Sequence, residues 1–227
     1  MIYWPSPKPR KSLIYQIFAT VLALIISVPF GLAGATASQH QKLLVTDYFK
    51  LLPDSYLPLL PSQVRNALVK GVQQSQKNEW FLNGKTYWID IDTTNEYLRV
   101  RSTAFEGFIE VAVWRAKGQL PLIGVTTVGC GPVCRNESLH FLKMRSNGWI
   151  EVTSSVLPKI DASMMLDAYR RHKKPDDEEF KLNDINVSPF FVFPRIGTTI
   201  QVRTLTGVRV FDLLWINGQF KIQAPKP

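Results

Sequence analysis

The spacing of apolar residues along this chain changes once after the N-terminal region, near residue 80. Before that point they recur every three or four positions. In Gln41 to Leu52, Leu44, Tyr48 and Leu51 fall on one helical face with Val45 and Leu52 beside them, and Pro53 ends the run. Pro53 to Pro61 holds three prolines and reads as a linker. Ser62 to Lys70 then places Val64 and Leu68 one turn apart, and the spacing predicts a second short helix capped by Gly71.

From Trp80 the period is two. Thr86 to Asp92, Glu96 to Ser102, Gly107 to Lys117, Leu120 to Val128 and Ser138 to Arg145 are rich in β-branched and aromatic residues and are separated by short polar turns. Such short connections leave no room for helical crossovers, so the strands must run antiparallel. A second block follows in Thr198 to Thr204, Val208 to Ile216 and Gln219 to Gln223. Between the blocks Asp161 caps a predicted helix over Ala162 to His172, the run from Arg170 to Glu179 reads as a charged surface loop, and residues 173 to 188 are expected to be the most mobile internal part. The fold class is therefore mainly β (α+β), an antiparallel meander curved into a partial barrel or sandwich and preceded by two short helices.

Asn-Gly occurs three times, at Asn83-Gly84, Asn147-Gly148 and Asn217-Gly218, each shortly before an aromatic residue. The pair favours the type I′ hairpin, whose two central residues both need positive φ. Intervals of 64 and 70 residues, counted along the sequence, are too irregular for uniform propeller blades.

The first 37 residues obey neither period. Lys8, Arg10 and Lys11 precede an almost wholly apolar run from Leu13 to Leu32, and Pro29, Gly31 and Gly34 lead to Ala35-Thr36-Ala37. This is the layout of a secretory signal peptide cut after Ala37. A run of about 20 apolar residues also suffices to span a bilayer, so the same segment can remain as an anchor. In both cases the basic residues stay on the cytoplasmic side and the remainder lies outside, periplasmic or secreted. The expected organisation is a signal segment over 1–37, a helical preface over 38–79 and a β-rich domain over 80–227.

Charge removes one function class. Beyond residue 37 there remain 24 basic and 18 acidic residues, scattered without a basic stripe, so no nucleic-acid partner is expected. A weak attraction to anionic membranes or polysaccharides is the residue of that excess. Catalytic and metal-binding signatures are also lacking. His40, His140 and His172 have no ligand spacing, and no Gly-x-Ser-x-Gly elbow occurs. Asp90, Asp92, Asn95 and Glu96 gather oxygen ligands, but Thr94 and Asn95 stand where a calcium loop needs a fifth-position ligand and a glycine. No catalytic residue, metal or cofactor is expected.

Two features carry chemistry. Cys130 and Cys134 lie in Val128-Gly129-Cys130-Gly131-Pro132-Val133-Cys134, between two predicted strands, and an exported chain rarely leaves such a pair unbridged. A local disulfide is expected. The letters Cys-Gly-Pro resemble the active site of thioredoxin-like proteins, but here three residues separate the cysteines and a strand follows, where that motif has two residues at a helix N-terminus. A thiol-disulfide role is the alternative reading of the pair.

The second feature is a sheet face. Ile89, Ile91, Leu98, Val100, Ile109, Val111 and Val113 share one face and read as core. The opposite face carries Trp88, Asp90, Asp92, Tyr97, Arg99, Arg101, Phe108, Glu110 and Trp114, a ladder of alternating charge fringed by aromatics. Left in water it is a set of cross-strand ion pairs; formed into a concavity it suits a protein, peptide or saccharide partner. Asn136-Glu137-Ser138 and Asn186-Val187-Ser188 fit the glycosylation sequon.

Overall fold

A computed structural model describes residues 42–75, 77–172 and 188–225. Helix α1 (Val45–Leu51), a 3-10 turn (Asp54–Tyr56) and α2 (Ser62–Ser75) come first. Seven strands follow: β1 (Glu79–Leu82), β2 (Lys85–Asp92), β3 (Tyr97–Ser102), β4 (Phe105–Trp114), β5 (Leu122–Cys130), β6 (Cys134–Arg145) and β7 (Gly148–Glu151). Helices α3 (Thr153–Val156) and α4 (Ala162–His172) lead to β8 (Phe190–Val192), β9 (Ile200–Arg203), β10 (Arg209–Ile216) and β11 (Gln219–Gln223).

Both sheets are antiparallel meanders. The larger has the order β1 to β7 and the smaller the order β11-β10-β9-β8. Neither closes into a barrel. The alternation places Ile89, Leu98, Val100, Ile109, Val111 and Val113 on one face of the larger sheet, where they pack with Val45, Phe49, Leu68 and Val69 of α1 and α2. The opposite face is also covered. Ala112, Trp114, Leu122 and Phe141 form a second core with Phe193, Ile200, Val202, Leu213 and Phe220 from the small sheet and its flanks, and with Met165 and Ala168 of α4.

Local chemistry accounts for most element ends. Asp161 Oδ1 accepts the Met164 N–H at 3.0 Å and so caps α4 as expected. Asn83-Gly84 and Asn217-Gly218 both adopt positive φ at each residue, the type I′ geometry. The middle Asn-Gly behaves differently. It also closes a hairpin, but Arg145 pairs with Gly148, so the loop residues are Ser146 and Asn147 and neither has positive φ.

The expected end of α2 at Gly71 is corrected. The helix continues to Ser75, and Gly71 is buried beneath the Trp80 ring, where an added Cβ would come 2.7 Å from Cζ2. Its glycine provides room for an indole; it does not cap the helix. No helix among the described residues is long and apolar enough to cross a membrane. The signal segment, residues 173–187 and Asn186 lie outside the described residues.

Candidate functional site

Register brings the predicted ladder together. Asp90 pairs with Arg99, Arg99 with Glu110, and Trp88 with Arg101. Acid, base and acid therefore stand side by side across β2, β3 and β4, with Thr126 of β5 next in the row.

Half of this face is enclosed. Glu110 is 2% exposed, and its Oε1 accepts the Tyr97 hydroxyl at 2.5 Å and the Arg99 Nε and Nη2 at 3.1 and 2.9 Å. Burial pushes the Glu110 carboxyl above its ordinary range, while Tyr97, Arg99 and the Phe193 backbone N–H pull it back. Burial and then the Glu110 charge push the Tyr97 hydroxyl far above its usual range. Trp114, 1% exposed, donates Nε1 to the Thr198 carbonyl at 2.8 Å and meets Phe193 and Phe220 edge-on at 5.3 and 5.4 Å. Tyr97, Glu110 and Trp114 thus belong to the second core and offer no surface. Alternation separates the two faces of a strand, but it carries no record of where β8 to β11 come to lie, and these cover the Trp114 end.

An open remnant survives. Arg99 stacks its guanidinium carbon 4.0 Å from the Phe108 ring centroid and keeps about a third of its side chain in water. Trp88, Asp90 and Phe108 are half-buried beside it, and Arg101 is exposed. Asp92 serves its own turn, accepting the Asn95 backbone and side-chain N–H groups at 2.9 Å each. Those hydrogen bonds hold its carboxyl below the usual range. The remnant is an aromatic and arginine surface with one carboxylate, Asp90, still turned to solvent.

The cysteines sit at the far tip of the β5–β6 hairpin. They are register partners, and their sulfurs lie 2.06 Å apart, a disulfide separation. Gly131, Pro132 and Val133 form the exposed tip. Beside it lies a cleft of about 410 Å³ bordered by Leu59, Phe105, Glu106, Val133, Arg135 and Glu137. A smaller hollow of about 290 Å³ adjoins it through Leu59 and Glu137 and reaches His140.

Sequence reasoning missed the partner of His140. Its Nδ1 lies 3.0 Å from Glu151 Oε1, and its ring meets Tyr56 edge-on at 5.0 Å. The hydrogen bond from His140 lowers the Glu151 pKa. Adjacent antiparallel strands β6 and β7 place them together, but β7 is only four residues long and gives little sequence signal. No serine or threonine hydroxyl is hydrogen-bonded to this imidazole among the described residues, so a histidine and carboxylate stand without a nucleophile. No cluster of three ligating side chains occurs among the described residues either.

The sequon at Asn136 is structural. Its Oδ1 accepts the Phe191 N–H at 2.7 Å, and its Nδ2 donates to the Phe191 carbonyl at 3.1 Å and to Thr126 Oγ1 at 2.8 Å. A glycan on that nitrogen would displace both partners.

The fold has a solved counterpart. A domain of an uncharacterized protein from Porphyromonas gingivalis W83 is similar over 79% of this chain and 97% of its own, with a TM-score of 0.55 at 15% identity. At that identity the likeness carries the fold alone. No family model and no curated protein matches the sequence.

Proposed function

We propose that the protein is an exported module of the cell envelope that acts by binding, with its β-rich domain on the outer side of the cytoplasmic membrane. Export is supported by the basic and apolar N-terminus together with the Cys130 and Cys134 pair at bonding distance, a pairing that an oxidising compartment favours. The apolar segment is either removed after Ala37 or kept as an anchor through residues 13–32, and the mass of the mature chain distinguishes the two.

The observation that carries the binding reading is the open remnant of the ladder, Trp88, Asp90, Arg99, Arg101 and Phe108. Stacked aromatic and guanidinium planes beside the Asp90 carboxylate suit a saccharide or an extended peptide. The experiment is an NMR titration of the folded protein with cell-wall glycan fragments and with extended peptides. Shifts concentrated at the Trp88 indole and the Arg101 guanidinium, and lost in Trp88→Ala, support the reading. Shifts scattered over the molecule, or none with either ligand class, overturn it.

Thiol-disulfide exchange through Cys130 and Cys134 is the second reading, favoured by the exposed hairpin tip beside the pair. A measured reduction potential below about −300 mV, the range of stable structural disulfides, would remove it.

A further inference from the structure

The two ends of the larger sheet differ in what they expose. One end carries the disulfide tip. At the other lies Leu43, where the compact unit begins. Arg115, just beyond β4, holds this point: its Nη2 donates to the Leu43 carbonyl at 2.6 Å and its Nε to Glu96 Oε1 at 2.9 Å.

Three loops lie at this end of the sheet. Trp114 Nε1 reaches the Thr198 carbonyl, which brings residues 195–198 to this end. Gln119, in the β4–β5 loop, lies against the Asn217-Gly218 turn so closely that a Cβ on Gly218 would stand 2.2 Å from its Oε1. Together with Leu44 these loops expose Leu120, Ile196 and Ile216, the largest share being Ile196 at 78%. Lys117 and Arg195 are exposed among them. Glu96 is paired with Arg115, and Asp92, hydrogen-bonded to the neutral Asn95, keeps its charge near Arg195. Lys117, Arg115 and Arg195 outnumber Asp92 and Glu96, so this end is positive by one charge. The disulfide end also exposes apolar residues, Leu59, Phe81 and Val133, but there Lys85 and Arg135 are offset by Glu79, Glu106 and Glu137 and no positive excess results.

Chain length supplies the last step. Ten residues, 33 to 42, separate Leu43 from the apolar segment. Fully extended they span at most about 35 Å. A bilayer holding residues 13–32 would lie within that reach of the Leu43 end.

We propose that the Leu43 end is a bilayer-facing surface for anionic phospholipid headgroups. Leu120, Ile196 and Ile216 enter the interface, while Lys117 and Arg195 meet the phosphates. The proposal rests on the anchored form of the function proposed above.

Full-length chain is reconstituted in vesicles of phosphatidylglycerol mixed equally with phosphatidylethanolamine, and in phosphatidylcholine vesicles. Photoreactive benzoylphenylalanine replaces Leu120 in one variant and Phe81 in another, both exposed, so folding is retained and verified by the urea midpoint. Sedimentation with vesicles reads the anchor; lipid adducts read the surface. The expected result is sedimentation of both variants and several-fold more lipid adduct at position 120 than at 81. Combining Lys117→Glu with Arg195→Glu lowers the adduct at 120 about thirtyfold in the anionic vesicles only, as follows from about 1 kcal/mol for each of the two basic residues near such a surface. Sedimentation with equal adducts at both positions, or with none at 120, overturns the surface and leaves the anchor standing. A chain that stays in the supernatant overturns both.

Discussion

The side-chain amide of Asn136 docks on the backbone of Phe191, accepting its N–H at 2.7 Å and donating to its carbonyl at 3.1 Å. Phe191 lies in β8, an edge strand of the small sheet, and Asn136 in β6 of the large one. One side chain thus stands in for a missing neighbouring strand and joins the two sheets.

Removing that amide strands two backbone groups at the junction of the sheets. Asn136→Ala is expected to lower unfolding free energy by about 2 kcal/mol, the order of an unsatisfied buried donor and acceptor. Asn136→Asp retains an acceptor for the Phe191 N–H but sets a carboxylate oxygen against the Phe191 carbonyl and the Thr126 hydroxyl oxygen. Urea denaturation at neutral pH is expected to rank it below wild type, with part of the loss recovered in acid as the carboxylate is protonated.

Glu110 sets a dependence on pH in the same direction. Burial holds its folded carboxyl above the ordinary value of 4.5, so the folded state binds the proton more tightly than the unfolded chain. Its contribution to stability is then largest below 4.5 and falls as pH rises through the raised value. Asp92 and Asp161, whose carboxyls are held low by hydrogen bonds, act in reverse and lose their contribution as pH falls through their folded values. Urea midpoints across this range are expected to decline above pH 4.5 through Glu110, and Glu110→Gln should flatten that limb. Tyr97→Phe removes a hydrogen bond that favours the ionised form and should steepen it.

These relationships mark where sequence reading succeeds and where it stops. Alternation along β2, β3 and β4 already contains the row of Asp90, Arg99 and Glu110, because short turns leave antiparallel neighbours as the available pairing. Burial of Glu110 and Trp114 is not contained there. It depends on β8, three residues long, and on the Phe193 to Thr198 loop crossing the sheet about 80 residues after β4. The role of Gly71 is hidden from the sequence for a related reason, since a glycine that ends a helix and one that admits an indole look alike until the partner ring is placed.

Gly124 tests the second core directly. An added Cβ would stand 2.6 Å from Trp114 Cζ3 and 2.9 Å from Phe193 Cζ, both ring atoms in a packed cluster. Gly124→Ala is expected to cost about 1–3 kcal/mol and to change the near-ultraviolet signal of Trp114. Gly131→Ala is the matched control, since no atom lies within 4 Å of its Cβ position and its melting temperature should stay at the wild-type value.

The disulfide should matter little to global stability. It closes a loop with a sequence separation of 4. Loop entropy then limits the gain to about 2 kcal/mol, and the β5–β6 ladder already holds the same register. Replacing both cysteines by alanine is expected to reduce the urea midpoint slightly and to leave the sheet signal in circular dichroism unchanged. Collapse of the fold would contradict this account of the hairpin.

Arg65 is the larger buried commitment. Its side chain is fully enclosed between α2 and the preceding turn, where Nη1 donates to the Leu60 carbonyl at 3.0 Å and Nη2 to the Leu52 carbonyl. Its ion pair with Asp54, at 3.1 Å, involves a carboxylate that is 54% exposed. Burial lowers the Arg65 pKa, and the Asp54 charge only partly restores it. The carbonyl bonds therefore outweigh the ion pair, because a solvated carboxylate returns little on pairing whereas the two enclosed carbonyls have no other donor among the described residues. Arg65→Met is expected to cost about 3 kcal/mol and to loosen α1 and α2 from the sheet, visible as faster amide exchange in Val45–Leu51. Asp54→Asn should cost less than about 1 kcal/mol. Equal losses in the two variants would show that the pair, and not the carbonyls, holds the helices in place.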